Sequence, residues 1–177
     1  LNEKSFVLEI ASNDGYLLQY VKKKCISCLG IEPTAKAASE AEKKGIKTVK
    51  EFFGQALVTK LKDEGLIPSS GVDLLVANNV LAHVPDINDF ILGAKNILNS
   101  NGVFSVEFPH LLNLLKNNQF DTIYHEHYSY LSLNFLLRLT KKFDLHIFDV
   151  DEISTHGGSL RVWMTRDKSK KVSKNIY

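Results

Sequence analysis

A chain of 177 residues with 44% hydrophobic and 24% charged residues has material for one α/β domain with a full core. A net charge of +2 sits too near balance to point to nucleic acid or a membrane surface as partner. The aliphatic stretches Val72–Val84 and Leu131–Leu139 are too short and too interrupted to span a bilayer, and no basic-then-apolar leader opens the chain, so a cytoplasmic protein is the expectation.

Leu1 is not a start methionine and the chain enters an apolar, β-branched run at Phe6–Ile10. Helical spacing follows over Tyr16–Val21, then a second strand over Cys28–Ile31. The two cysteines, Cys25 and Cys28, stand as one CxxC without a second ligand pair, which reads as a buried structural pair and not a zinc half-site. Thr34–Lys44 has a strong helix composition closed by Gly45. A short third strand, Ile46–Val49, precedes a helix over Gln55–Leu61. Val72–Ala77 reads as a buried strand and Ile87–Leu98 as a helix ended by a turn at Asn99–Gly102. A fifth strand covers Val103–Phe108. Alternation of this kind predicts a parallel sheet with helices on both faces.

The last third breaks the rhythm. Leu133–Lys142 has an amphipathic helix pattern, but Leu145–Val150 and Leu160–Thr165 are strands with only a short glycine-containing connection between them. That is a hairpin, so the final strand should run antiparallel. A mostly parallel sheet finished this way is the pattern of a class I, Rossmann-like S-adenosylmethionine methyltransferase, not of a dehydrogenase. One domain over residues 1–166 is expected, with a lysine- and serine-rich linker or tail over 167–177, and both ends read as cut from something longer.

Three groups of residues carry chemistry. The first is the strand, turn and helix start from Phe6 to Leu17, where a backbone must approach a ligand closely. Gly15 is its single glycine, Ala11 is small, and Asn13 tolerates a left-handed backbone better than other non-glycine residues. Glu9, at the end of the strand, can anchor the turn or a methionine amino group. The second group lies at later strand ends. Glu32, followed by Pro33, can accept from ribose hydroxyls. Phe53, with Phe52, can wall an adenine, and Asn78 and Asn79 can read an adenine edge or a carboxylate.

The third group is Tyr124-His125-Glu126-His127, which packs two imidazoles, a carboxylate and a phenol together. Imidazole titrates near neutrality and a neighbouring carboxylate can orient it as a base. Extended, His125 and His127 share a side, but no third ligand accompanies them and no metal is expected. His110 can line a pocket or sit in a turn, His146 reads as structural, and His156-Gly157-Gly158-Ser159-Leu160-Arg161 offers turn amides and a guanidinium for an anion.

VLEIASNDGYLL, GIEPT, ANNVLAHVPD, IYHEH and THGGSLR, in this order from Val7 to about Val162, resemble the S-adenosylmethionine-dependent C-methyltransferases of nucleotide-linked keto-deoxysugars. The resemblance implies His127 as general base, Tyr124 and Glu126 as its partners and His83 as a further active-site histidine. It assigns the Ala11–Gly15 turn and Glu32 to the cofactor, while the polar and aromatic density of Phe120–Leu131 beside apolar flanks predicts one wall of the acceptor pocket. It also implies an N-terminal zinc-binding domain and a C-terminal α/β domain flanking this core, and a nucleotide-sugar substrate. The residues alone leave open a methyltransferase of another oxygen or nitrogen acceptor, an NAD-dependent oxidoreductase or epimerase, and a cofactor-binding module without an acceptor site.

Overall fold

The computed structural model describes residues 1–176. Seven strands form one sheet in the order β3-β2-β1-β4-β5-β7-β6. In chain order they are β1 (Phe6–Ile10), β2 (Ser27–Ile31), β3 (Thr48–Val49), β4 (Val72–Asn78), β5 (Leu98–Pro109), β6 (His146–Ile153) and β7 (Ser159–Thr165). The helices are α1 (Leu18–Lys23), α2 (Ala35–Lys43), α3 (Gln55–Asp63), α4 (Ile87–Ile97), α5 (Leu111–Lys116) and α6 (Leu133–Lys142). Strands β1 to β5 pair in parallel, while β7 pairs antiparallel with both β5 and β6. The architecture expected from the alternation and the terminal hairpin is the one observed: a class I methyltransferase sheet.

Pleating decides which side chains meet which layer. Successive residues of β1 point to opposite faces, so Val7 joins the small cluster of Leu18, Ala41 and Ile46 beneath α1 and α2. Leu8 and Ile10 enter the larger core shared with α3, α4 and α6. Glu9 lies on the Val7 face, where it is 1% exposed. Capping is sparse but well placed: Asp86 accepts from the amides of Asn88 and Asp89 at the start of α4, and Ser132 accepts from Phe135 at the start of α6.

Four local expectations are corrected. Asn99–Gly102 is not a turn between elements but an irregularity inside β5, where pairing slips between Val72↔Leu98 and Leu74↔Val103. Asn99 holds it by donating its amide to Asp73 at 2.9 Å. The cysteines are not a buried pair: Cys25 is exposed in a left-handed turn (φ 57°), and only Cys28 is half-buried, where burial pushes its thiol pKa up. The first helix starts at Leu18 and not at Tyr16, because the turn before it needs more residues than a glycine-rich one. Helix α5, without a side-chain cap, was not expected. The basic segment 167–176 runs back along β6. The Ser173 amide donates to the Phe148 carbonyl at 2.7 Å, and Lys170 Nζ stands 4.0 Å above the Phe148 ring.

Candidate active site

Every piece of the site sits at the carboxyl edge of the sheet, where ligands bind in open α/β folds. The turn after β1 bends through three alternating left-handed residues, Ala11 (φ 52°), Asn13 (φ 51°) and Gly15 (φ 75°). Left-handed backbone costs an ordinary residue about 1–2 kcal/mol, so the tertiary contacts must impose it. Two of them are visible: Ser12 donates its amide to the Ile31 carbonyl at 3.1 Å, and Asn13 donates its amide to Glu32 Oε2 at 3.1 Å. Glu32 Oε1 accepts from the Thr34 amide at 2.8 Å. The carboxylate thus ties the β1 turn to the end of β2. Gly15 faces Ala41 and Ile46, where an added Cβ would stand 3.3 and 3.1 Å from their side chains, so its bareness serves the packing of α2.

A cavity of about 660 Å³ opens at the carboxyl ends of β1, β2 and β4, with Ile10 in its lining. Of the residues expected to hold the cofactor, Ala11, Pro33, Phe53 and Asn79 line it, together with Ile31, the highly exposed ring of Phe52, and His83. Phe53 meets Phe90 edge to face at 5.2 Å, which fixes its ring in the wall. Glu9, Asn13, Gly15, Glu32 and Asn78 stand behind this lining and not in it. Glu51, Asp89 and Tyr128, which do line it, were missed; nothing in the spacing of single acids and phenols marks them.

Behind the wall lies a set of unanswered polar atoms. Glu9 Oε2, Ser12 Oγ and Asn79 Oδ1 are buried and have no hydrogen-bond partner among the described residues. Burial without a counter-charge pushes the Glu9 carboxyl up to about 8. The Tyr16 hydroxyl is raised as well, by its own burial first and then by the charge of Glu9. Of the three, Asn79 lines the cavity, and its open Oδ1 can accept from a ligand there.

A second cavity, of about 440 Å³, adjoins the first and shares Asn79 with it. Tyr124 and His127 line it, with Asp121, Thr122, Pro109 and the β6–β7 hairpin. His127 is held from two sides. Its Nδ1 donates to the Thr122 carbonyl at 2.8 Å, and its Nε2 lies 3.1 Å from the Tyr124 hydroxyl. A carbonyl only accepts, so Nδ1 carries a proton, and in the neutral imidazole Nε2 carries the lone pair. The His83 ring lies 4.7 Å from that of His127, tilted by 53°, and its Nδ1 donates to the Glu126 carbonyl at 3.0 Å. Neutral His83 so held has no proton on Nε2 to give. The Glu126 carboxylate, expected to orient His127, forms no hydrogen bond or ion pair with it among the described residues, and the Thr122 carbonyl takes the Nδ1 proton. His125 is exposed. The Tyr128 amide closes the loop onto the Ala82 carbonyl at 2.8 Å.

The remaining histidines and the arginine fall outside this pair. His110 starts α5, its pKa lowered by burial, and His146 lies in β6 with its Nε2 buried and unpartnered. Arg161 donates from Nη2 to Glu107 at 2.9 Å, which ties its guanidinium to the end of β5. Among the described residues no group of three metal-binding side chains occurs, and no helix is long and apolar enough to cross a membrane. A cavity of about 710 Å³ at the amino ends of β1 and β2, around Leu1–Lys4, is remote from these strand ends.

A class I sheet with an apolar-walled cavity at its carboxyl edge is the framework of an S-adenosylmethionine-dependent methyltransferase. The chain belongs to the methyltransferase domain family, whose model matches residues 1–150. It is similar to the C-methyltransferase NovU of Streptomyces niveus, at 35% identity over 167 residues, which is 92% of this chain and 38% of NovU. The chain therefore spans about two-fifths of that relative's length. Among solved structures it superposes on an S-adenosylmethionine-dependent methyltransferase of Mesorhizobium loti with a TM-score of 0.69 at 15% identity, covering 93% of both chains. It also superposes on DhpI in its complex with SAM and HEP, with a TM-score of 0.64 at 18% identity, covering 92% of this chain and 79% of DhpI.

Proposed function

We propose that this chain is the catalytic core of a C-methyltransferase that acts on a nucleotide-linked keto-deoxysugar through an enolate. The observation that carries the reading is the state of His127. Its Nδ1 proton is spent on the Thr122 carbonyl, so the Nε2 lone pair faces the Tyr124 hydroxyl at the rim of the second cavity. That tautomer is a base, and a carbon next to a ketone is a weak acid that needs one. The 35% identity to NovU supports carbon as the methylated atom.

When bound, S-adenosylmethionine supplies an electrophilic methyl group on a sulfonium. Glu9 and Asn79 offer their unanswered oxygens to its ammonium, and Ile31, Pro33, Phe52 and Phe53 give an apolar wall to its adenine. Glu32 keeps lone pairs for ribose hydroxyls while it holds the turn. In the second cavity His127 Nε2 takes the proton from the acceptor carbon. As it does so, the Tyr124 hydroxyl is released from Nε2 and can donate to the developing enolate oxygen. His83, whose tilted ring lies 4.7 Å away, packs against the imidazole from one side.

The His127→Asn variant should lose methyl transfer by roughly 10²–10⁴ while cofactor affinity holds. Solvent deuterium exchange at the acceptor carbon, followed without a methyl donor, isolates the proton step. A variant that exchanges as fast as wild type removes His127 from the role and makes His83 the first candidate.

A further inference from the structure

The connection between β6 and β7 is built more firmly than a hairpin requires. His156 (φ 53°), Gly157 (φ 75°) and Gly158 (φ 110°) are left-handed in succession. A non-glycine residue persists there only where its surroundings over-determine it, and such residues gather at functional sites. The surroundings here are explicit. Glu107, 7% exposed at the end of β5, accepts from Thr155 Oγ1 at 2.9 Å on one side and from Arg161 at 2.9 Å on the other. Gln119 donates to the Gly157 carbonyl at 2.7 Å, and the His110 amide donates to the Gly158 carbonyl at 3.0 Å. Gln119 also fills the space where a Cβ on Gly157 would sit, at 2.6 Å from its Nε2. His156 itself is exposed, has no hydrogen-bond partner among the described residues, and lines the same cavity as His127.

The charge of that cavity says what it takes. Its polar lining is Asn79, Gln119, Asp121, Thr122, Tyr124 and two histidines, with no lysine or arginine. Arg161, the guanidinium nearest in sequence, pairs with Glu107 and is not in the lining. A phosphate would meet Asp121 and no cation. A neutral ring bearing hydroxyls and a carbonyl would meet donors and acceptors of both kinds.

We propose that His156 is a specificity-determining residue of the acceptor cavity, held in its left-handed turn by Glu107 and Gln119 so that its imidazole hydrogen-bonds a hydroxyl or carbonyl of the uncharged sugar ring. The inference rests on the reading of the chain as a sugar C-methyltransferase. The diphosphate of a nucleotide-linked acceptor then lies outside this cavity.

Two variants test it. His156→Gly suits the backbone and removes the imidazole, and His156→Asn suits the backbone and keeps a short amide. The probe is thymidine diphosphate-4-keto-6-deoxyglucose, with thymidine diphosphate alone as control. His156→Gly should weaken binding of the sugar nucleotide roughly three- to tenfold, leave S-adenosylhomocysteine affinity unchanged, and melt no lower than wild type. His156→Asn should recover part of the loss. Binding of thymidine diphosphate alone should not respond to either variant. Unchanged affinity of His156→Gly for the sugar nucleotide overturns the proposal, and so does a loss matched equally for the bare nucleotide. Failure of the parent reading shows separately: the His127→Asn variant would then exchange the acceptor proton at the wild-type rate whatever His156 does.

Discussion

Replacing Glu9 by glutamine should stabilise the ligand-free protein, and by more as pH rises. Glu9 is 1% exposed, its Oε2 has no partner, and burial raises its carboxyl from an ordinary 4.5 to about 8. Between those values the folded chain keeps a proton that the unfolded chain has released. Folding is then opposed by rising pH, at about 1.4 kcal/mol for each pH unit. The loss is absent below the unfolded value, reaches about 3 kcal/mol near pH 7, and levels at about 5 kcal/mol once the folded carboxyl also ionises. Glutamine has the same shape and nothing to titrate. Urea unfolding of both proteins from pH 5 to pH 8 measures the difference directly. His110, whose lowered pKa acts with the opposite sign in part of this range, is common to both and cancels. The gap between wild type and Glu9→Gln should widen steadily with pH, and parallel curves would refute the reasoning. The same variant should bind S-adenosylmethionine more weakly. Wild type, in contrast, should release a proton on binding at neutral pH, visible as a buffer-dependent heat in calorimetry.

Gly30→Ala should cost about 1–3 kcal/mol, because a methyl there runs into Ser12 Oγ and presses on Thr48 Oγ1 at 3.2 Å. The melting point should fall by roughly 2–12 °C, and Ser12→Gly in the same chain should return most of the loss; additive effects of the two changes would count against the contact. Glu32→Ala should cost about 1–3 kcal/mol in unfolding experiments, since two backbone amides lose their acceptor. Its cofactor affinity should drop in parallel, and calorimetry showing an unchanged affinity would leave Glu32 a purely structural part.

What could be read ahead of the structure was whatever repeats or sits close in sequence. Leu133–Lys142 was legible to the residue because its apolar period and its Ser132 cap are local. The parallel sheet followed from alternation, and the antiparallel β7 followed from two strands with no helix between them. Asn13 and Gly15 were legible as left-handed because few residue types accept that backbone. The rest is long-range or belongs to the main chain. Arg161 looked free because Glu107, its partner, is 54 positions away. The orientation of His127 was assigned to the adjacent Glu126, whereas a carbonyl does it, and a carbonyl is the same at every position. Helix α5 has six residues and no cap to announce it. Cys25 and Cys28 were read together from their spacing, but a left-handed turn at Cys25 points them into different surroundings.

The return of the basic segment along β6 has a bearing on how the molecule behaves in a crowd. β6 is the last strand of the sheet, and one side of its backbone has no neighbouring strand. An open edge of eight residues is a template on which another chain can add itself. Here Ser173 takes the Phe148 carbonyl, Asn175 reaches Asp149 at 3.4 Å, and Ile176 rests against the core. Lys170 brings positive charge to the same rim, over the Phe148 ring. A stretch that looks like surplus lysine thereby works as a hem, closing the sheet where it would otherwise fray into contact with its neighbours.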